Sequence, residues 1–260
     1  MISRDLVTQA LTEIIGPELL ELSAKVDTRP NSIQIKGSPE VKTIAVGVSC
    51  STEFLKKAIQ AGATYVICHH GLGASDYIIN GRFNAIEERL KLIIKNDITL
   101  AGFHYSLDAH PDIGNNAVLI KRLFAVKTDE SYFDGWGWVG EYEKPILIDE
   151  LIRRCEVICK HPVFAVKTGS KKIKRIGVCS GGARPHGDEL MDIVDKHIDA
   201  HITGEISESG PYIAEELKFN YLSCGHYSTE TFGVQALTQK LVERFGIDVQ
   251  VKFIDVPSTL

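Results

Sequence analysis

The sequence predicts an α/β protein built from two similar lobes, each with a largely parallel or mixed sheet covered by helices. Short apolar strands alternate with helical segments along most of the chain, and this order is typical of parallel strands joined by helices. The plan also repeats. Val48-Ser49-Cys50 ends an early strand as Val178-Cys179-Ser180 ends a later one, and a helix and a strand with a polar end follow in both places.

The first lobe is expected over residues 1–125. Its first helix is indicated by apolar residues at helical spacing, and its strands by apolar runs that end at small or polar residues. In order, the pattern predicts a helix at 5–23, strands at 32–36 and 43–49, a helix at 51–60 that stops near Gly62, a strand at 64–68, a helix at 83–95 and a strand at 98–103.

The second lobe is expected over residues 126–260. It opens with an irregular insert at about 126–170, which contains both tryptophans and a helix near 149–159. The alternation then resumes with strands at 175–180, 199–203, 221–224 and 249–254, and helices at 187–197, 212–218 and 229–245. We expect the C-terminal elements to pack back on the first lobe.

Composition limits the classes of function. The net charge is −5, from 29 basic and 34 acidic residues, so nucleic acid is not an expected partner, because phosphate contacts need a basic face. The densest basic stretch, at 171–175, is interpreted as a solvated loop before a strand. No N-terminal signal is visible, and no stretch approaches the about 20 apolar residues that span a bilayer. We therefore expect a cytoplasmic protein without a membrane partner.

The cysteines show neither a disulfide framework nor a CxxC pair. A free cysteine often packs as a small apolar residue. We therefore predict that Cys68, Cys179 and Cys224 are packed thiols and do not bind metal.

Ionisable residues gather where predicted strands end, which is where open α/β sheets bind ligands. The first cluster is Cys68-His69-His70-Gly71. Successive strand residues point to opposite faces, so the two histidines share one site only if the chain leaves the strand there, or else they serve different metals. Gly71 and Gly73 make such a departure easy. The alternative is a surface histidine pair without a function.

The second cluster is His104-Tyr-Ser-Leu-Asp108, directly after a strand. His104 and Asp108 suit a metal ligand and its orienting partner, and the two oxygens of Asp108 could also bridge two metals. The alternative is a plain turn, because residues 108–112 have strong turn composition.

The third cluster is Gly225-His226-Tyr-Ser-Thr-Glu230, in which His226 and Glu230 are four residues apart and can face one point on a helix. The alternative is helix capping by Ser228 or Thr229. The fourth cluster ends in Glu205, which suits a general base or a hydrogen-bond acceptor behind a ligand. Its alternative is a solvated loop glutamate.

Taken together, these imidazoles and carboxylates suit two divalent ions of the zinc, iron, manganese or nickel type. Few protein ligands for two ions leave positions open for water, which is typical of a catalytic site.

Several motifs in series resemble the Nif-three-like dinuclear metal-centre proteins, a family often labelled GTP cyclohydrolase I type 2 homologue. They are Cys-His-His-Gly-Leu at 68–72, His-Tyr-Ser-Leu-Asp-Ala-His-Pro-Asp-Ile-Gly-Asn-Asn at 104–116, Cys-Ser-Gly-Gly-Ala at 179–183, Ala-His-Ile-Thr-Gly-Glu at 200–205 and Gly-His-Tyr-Ser-Thr-Glu at 225–230. The resemblance implies a dinuclear site between the two lobes and a homohexameric ring with its sites facing an internal cavity. The ligands that it implies are His69, His70, Asp108, His226 and Glu230, with His104 beside the metals.

Two functions follow as hypotheses. The first is a metal-dependent hydrolase that uses a metal-bound hydroxide on a small-molecule substrate, with a nucleotide as a candidate. A GTP cyclohydrolase-like ring opening would need a proton donor such as His104 or Glu205. The chain lacks a Walker loop, although backbone N–H groups at Gly181-Gly182 could face an anion. The second hypothesis is a non-enzymatic metal-binding scaffold or regulatory ring protein.

Overall fold

The computed structural model describes residues 1–29, 31–73 and 86–258. It confirms the predicted α/β class, since helices alternate with parallel and mixed strands. The chain forms two compact units, Met1–Leu107 with Val234–Val256, and Asp108–Gly233 with Pro257–Leu260. The change of unit therefore comes at residue 107, whereas the sequence places its lobe boundary at 125, and a C-terminal segment returns to the first unit.

The first unit is organised around a five-stranded sheet. Its elements are β1 (Ile2–Ser3), α1 (Arg4–Ile15), α2 (Pro17–Val26), β2 (Ser32–Ile35), β3 (Glu40–Val41), β4 (Thr43–Ser49), α3 (Thr52–Gln60), β5 (Tyr65–His70), α4 (Glu87–Lys95) and β6 (Thr99–Gly102). A short helix, α5 (Tyr105–Asp108), contains the change to the second unit.

The second unit is organised around a six-stranded sheet. Its elements are α6 (Asn115–Arg122), β7 (Val126–Tyr132), β8 (Gly137–Leu147), α7 (Ile148–Cys159), β9 (Phe164–Lys167), β10 (Lys172–Val178), α8 (Glu189–Asp195), β11 (Ala200–Thr203), α9 (Gly210–Leu217), β12 (Asn220–Ser223) and α10 (His226–Thr229). The helix α11 (Thr231–Phe245) leads back to the first unit, where β13 (Gln250–Phe253) follows.

The strand order in the first sheet is β13-β4-β5-β6-β2. The first four of these strands run parallel, and β2 pairs antiparallel with β6. In the second sheet the order is β7-β8-β10-β11-β12-β9, with a parallel centre of β10, β11 and β12 and antiparallel strands at both sides. In both sheets the carboxyl ends of parallel strands meet at one edge, and the candidate residues follow those ends.

Apolar packing fixes each sheet. In the first unit, Phe54 and Leu55 of α3 and Ile93 of α4 are buried against sheet residues such as Val66. In the second unit, α6 and α7 contribute to a cluster around Ile176, and a second cluster contains Tyr132, Phe219 and Tyr221. Burying each large apolar side chain stabilises the fold by roughly 1.5–3 kcal/mol. None of the helices in the described part of the chain combines the length and apolar character that crossing a bilayer requires.

The structure differs from the predicted elements at several places. The helix predicted at 5–23 is two helices, because Gly16 adopts a φ of 92° and Pro17 starts a new helix. Residues 126–170 are not irregular, since β7, β8, α7 and β9 occupy most of them. The helix predicted at 83–95 begins at Glu87, and residues 83–85 lie outside the described residues.

The helix predicted at 229–245 also differs. A one-turn helix, α10, precedes α11, and Glu230 stands between them with φ −100° and ψ 1°. The basic stretch at 171–175 lies mostly within β10, where Lys174 and Arg175 pair with Glu141, so it is the start of a strand with paired charges and not a loop.

Candidate metal centre

Three histidines of the first unit form one cluster. His69 and His70 are the last two residues of β5, and His104 follows β6, the neighbouring parallel strand. The ring centroids are 4.7 Å apart for His69 and His70, 5.0 Å for His69 and His104, and 5.4 Å for His70 and His104. One ring nitrogen from each residue lies within 4.8 Å of the other two, so this group could hold a metal ion.

The sequence predicts that the two histidines share a site only if the chain leaves the strand at the pair. The structure differs, because the strand does not end before the histidines. β5 continues through His70, which pairs with Ser49 of β4. His69 is completely buried and His70 is half-buried, so the two side chains have different surroundings. The rings still approach each other, and a departure of the backbone at Gly71 is not needed for that.

Each ring of the cluster uses Nδ1 to contact the protein. His69 Nδ1 donates to the carbonyl oxygen of Phe103 at 2.9 Å, and His70 Nδ1 shares a hydrogen bond with Ser49 Oγ at 3.1 Å. His104 Nδ1 donates to Asp27 Oδ2 at 3.0 Å. A donating Nδ1 fixes the tautomer in which Nε2 carries the lone pair, so Nε2 is the candidate ligand atom of His69 and His104.

Asp27 holds His104 in place, and no motif in the sequence points to Asp27. Its side chain is only 1% exposed and also accepts hydrogen bonds from Asn31 Nδ2 at 2.9 Å and from the Tyr105 backbone N–H at 3.1 Å. Burial raises the pKa of Asp27, but the hydrogen bond and charge of His104 outweigh burial and lower this pKa to about 2. Asp27 follows α2 and lies 77 residues before His104, so no spacing pattern links the two.

In the second unit, His226 lies between two carboxylates. His226 opens α10 and Glu230 caps its C-terminal end, which places His226 Nε2 3.1 Å from Glu230 Oε1. His226 Nδ1 donates to Glu205 Oε1 at 2.6 Å. Burial lowers the pKa of His226, but the hydrogen bonds and charges of Glu230 and Glu205 outweigh burial and raise it to about 9.

The separation of His226 Nε2 and Glu230 Oε1 suits two ligands of one ion. At metal–ligand distances of about 2.0–2.2 Å, two ligand atoms on one ion lie roughly 3.0–3.5 Å apart, and the observed separation is 3.1 Å. Glu230 is buried, and Glu205 orients the opposite ring nitrogen in the way that carboxylates orient histidine ligands. The i, i+4 spacing therefore brings the two side chains together, and the short helix α10 begins after Gly225 without a side-chain cap.

The Asp108 carboxylate is buried within the second unit. Its Oδ1 accepts hydrogen bonds from Asn115 Nδ2 at 2.8 Å and from Ser180 Oγ at 2.9 Å. The segment after Asp108 also forms a turn, in which His110 Nδ1 accepts from the Asp112 backbone N–H at 3.1 Å. A turn at residues 108–112 is thus compatible with a ligand role for Asp108.

The Gly181-Gly182 segment packs tightly against His226 and Glu230. Gly181 has a φ of 65°, and a Cβ added there would overlap Oε1 of Glu230. Its backbone N–H donates to Thr229 Oγ1 at 3.0 Å. The Gly181 N–H therefore bonds within the protein and does not face an anion.

The cysteines are buried thiols. All six are free and buried, and no thiol belongs to a metal-binding group among the described residues. Burial raises the pKa of the Cys68 and Cys179 thiols, and hydrogen bonds with neighbouring thiols together with burial raise the pKa of Cys224. Neutral, buried thiols fit the predicted packing role.

The structure thus groups the candidate residues by unit. The first unit brings together His69, His70 and His104, and the second brings His226 together with Glu205 and Glu230. The second unit also contains the braced carboxylate of Asp108. Three contacting residues are not among those predicted from the sequence: Asp27, Asn115 and Ser180. The only sequence signal for the last two is that they fall within motifs at 104–116 and 179–183.

Comparison with known proteins finds similarity along almost the whole chain. The family described as Duf34/NIF3 (NGG1p interacting factor 3) matches residues 7–259. A protein of Escherichia coli strain K12 named GTP cyclohydrolase 1 type 2 homolog is 36% identical over 247 residues, which cover 93% of this chain and 95% of that protein. The protein of the same name from Pyrococcus horikoshii is 36% identical over 251 residues, covering 94% and 96%.

A solved structure titled protein ybgI, unknown function, is 31% identical to this chain, with a TM-score of 0.86 and full coverage of both chains. The Thermus thermophilus protein TTHA1606 is 25% identical, with a TM-score of 0.82 and again full coverage. The similarity to these two structures therefore extends over the full length of the chain.

Proposed function

Because this chain belongs to the Duf34/NIF3 family, we propose that it is a dinuclear metal-binding protein and a metal-dependent hydrolase. The proposed ligands of the two divalent ions are His69, His70, Asp108, His226 and Glu230, and His104 lies beside the ions. Imidazole and carboxylate donors without thiolates fit zinc, iron, manganese or nickel.

The observation that carries the proposal is the cluster of His69, His70 and His104, each of which has a ring nitrogen within 4.8 Å of a ring nitrogen of the other two. Three protonated imidazoles at this distance would repel one another. A cation bound to their lone pairs instead uses the uncharged form of each ring. The hydrogen bonds at Nδ1 of His69 and His104 hold those rings in the tautomer that such binding requires.

Bound divalent ions would supply Lewis-acid chemistry, which polarises an electrophilic group and lowers the pKa of water. The chain supplies proton carriers beside them. The His104 ring is oriented by the hydrogen bond from Nδ1 to buried Asp27, and Nε2 of the same ring is the atom proposed to carry a proton. Glu205 fixes the ring of His226 and can exchange a proton through its carboxylate.

The proposed substrate is a small molecule with an electrophilic carbon or phosphorus, and a nucleotide is the first candidate. The names of the relatives support this choice, since they are homologues of a GTP cyclohydrolase. Opening the imidazole ring of a purine nucleotide adds water to a carbon and needs a proton for the departing nitrogen. The protein is proposed to act as a homohexamer.

The test is a measurement of metal content and turnover with the same purified protein. We expect two ions per chain by elemental analysis after dialysis against zinc, manganese or ferrous iron. We also expect that the loaded protein hydrolyses a member of a panel of nucleotides, phosphodiesters and cyclic amides, and that a chelator abolishes the reaction.

The outcomes separate the two hypotheses. Two ions per chain without turnover of any panel member would favour the non-enzymatic scaffold or regulatory ring protein. Fewer than one bound ion per chain after dialysis against each of the three metals would contradict the dinuclear centre itself. Light scattering of the same sample measures the chain number of the assembly.

A further inference from the structure

Two pieces of local structure, the Asn115-Asn116 pair at the start of α6 and Ser180 after β10, converge on Asp108. Asn115 and Asn116 are completely buried, and Ser180 is buried as well. The side chains of Asn115 and Ser180 both donate to the same atom, Asp108 Oδ1, at 2.8 and 2.9 Å. The other carboxylate oxygen receives neither of these bonds.

The two donors are themselves fixed. Asn115 Oδ1 accepts from the Gly233 backbone N–H at 2.6 Å, which orients its amide so that Nδ2 faces Asp108. Asn116 Oδ1 accepts from the Ser180 backbone N–H at 2.7 Å, and Asn116 Nδ2 donates to the Asp108 carbonyl oxygen at 3.2 Å. The backbones of Ser180 and Asp108 are therefore held by the same asparagine, Asn116, and Asn115 cannot rotate without breaking a second bond.

An oxygen of a carboxylate has two lone pairs. Two strong donors at Oδ1 use both of them, so this oxygen has little capacity left for a cation. We propose that Asn115 and Ser180 are positioning residues that restrict Asp108 to binding metal through Oδ2 alone. This inference rests on the proposed dinuclear centre, and it excludes the arrangement in which Asp108 bridges two ions through its two oxygens.

The arrangement has a chemical consequence for the centre. A carboxylate held by two neutral donors keeps its orientation when the ion leaves, so its ligand oxygen is preorganised for binding. Hydrogen-bond partners of metal ligands are typically worth 10–100-fold in metal affinity. The hydroxyl of Ser180 should thus affect metal binding although it does not touch the ion.

The test compares Ser180→Ala with Ser223→Ala. Ser223 is a matched control, because it is also buried at the end of a parallel strand of the same sheet and its Oγ donates at 2.8 Å to a backbone carbonyl, that of Gly204. Zinc affinity is measured by competition with a chromophoric chelator. We expect about tenfold weaker binding of at least one ion in Ser180→Ala, no change in Ser223→Ala, and recovery in Ser180→Thr, which restores the hydroxyl.

A double-mutant cycle with Asp108→Asn shows whether the serine acts through Asp108. We expect Ser180→Ala to have little further effect in the Asp108→Asn background. Equal affinity of Ser180→Ala and wild type would overturn the proposal, and so would a crystal structure of the zinc-loaded protein with Asp108 Oδ1 within about 2.2 Å of an ion. A wild-type protein that binds no zinc would instead contradict the proposed function.

Discussion

Glu205 Oε1 and His226 Nδ1 lie 2.6 Å apart, while the opposite nitrogen of the same ring lies 3.1 Å from Glu230 Oε1. One imidazole thus contacts two carboxylates that are 25 positions apart in the chain, and the ring geometry gives them different roles. The nitrogen toward Glu230 is the candidate ligand atom, and the nitrogen toward Glu205 is the one that anchors the ring.

We predict opposite outcomes for the two glutamate variants. Glu230→Gln should lose bound metal, because an amide oxygen carries no charge to offset the cation. Glu205→Gln should keep metal near the wild-type content at saturating metal, but lower any hydrolytic rate by about 100-fold if Glu205 exchanges a proton. Elemental analysis and turnover are measured side by side for both variants. Metal loss in Glu205→Gln with retention in Glu230→Gln would reverse the assignment.

A double substitution tests the ligand set as a whole. His69→Ala combined with His226→Ala removes one proposed ligand from each unit and should abolish stoichiometric metal binding. His186→Ala with His197→Ala is the control, because neither residue belongs to a metal-binding group among the described residues. Two ions per chain in the His69 and His226 double variant would contradict the proposed centre.

Gly181→Ala should weaken metal binding for a steric reason. The added Cβ would overlap Glu230 Oε1 and push this carboxylate away from His226. The positive φ of 65° also adds backbone strain of about 1 kcal/mol. Gly187→Ala controls for the strain, because Gly187 has a φ of 53° and nothing within 4 Å of an added Cβ. Only Gly181→Ala should lose zinc affinity in chelator competition, and equal losses in both variants would count against the steric explanation.

His201 should make the second unit sensitive to acid. Its ring is completely buried, with Nδ1 accepting from Tyr132 Oη at 2.7 Å and Nε2 donating to the Ala183 carbonyl oxygen at 2.9 Å. Burial lowers its pKa from 6.5 to about 4. The unfolded chain therefore takes up a proton below about pH 6.5 that the folded protein takes up only near pH 4, so stability is lost as the pH falls through this window.

The expected loss between pH 7.5 and pH 4.5 is roughly 2–3 kcal/mol from this one group. Urea unfolding of the metal-free protein can be followed by the fluorescence of Trp136 and Trp138, which both lie in the second unit. His201→Gln has no titrating ring, so its unfolding free energy should fall by roughly 2–3 kcal/mol less over the same interval. Identical pH dependence in the two proteins would show that His201 does not titrate in this way.

The buried thiols should not contact the metals. X-ray absorption at the edge of the bound metal should show nitrogen and oxygen scatterers at about 2.0–2.2 Å and no sulfur at about 2.3 Å. A sulfur shell in the wild type that disappears in Cys68→Ser would contradict the packing role of Cys68.

The predictable parts of the fold are those in which one local pattern decides the structure. Residues 43–49 form β4 at the predicted bounds, because an unbroken apolar run fits only a buried strand or helix and this one is too short for a helix. The long strands β7 and β8 escape prediction because β7 is mostly exposed and polar and β8 contains Gly137, Gly140 and Pro145. Such strands form through pairing with neighbours, and no local pattern encodes that pairing.

In the candidate site, too, contacts between residues close in the chain could be predicted, and contacts between distant residues could not. His226 and Glu230 are close in the chain, so their contact follows from spacing alone. The contacts of Asp27 with His104 and of Ser180 with Asp108 join positions 77 and 72 residues apart, and only the finished sheets bring them together. Long-range partners of this kind have no periodicity that a single sequence can reveal.

The parallel pairing of β13 with β4 has a consequence for how the protein is made. β13 occupies one edge of the first sheet, yet the ribosome adds it only after residues 108–233 of the second unit have been synthesised. Until then, the nascent chain presents the unpaired edge of β4, whose residues Ile44, Ala45 and Val46 are apolar, and exposed apolar edges invite pairing with other chains. Completion of the first sheet therefore waits until residues 108–233 have been synthesised, and a chain stalled before β13 is a substrate for chaperones or for aggregation.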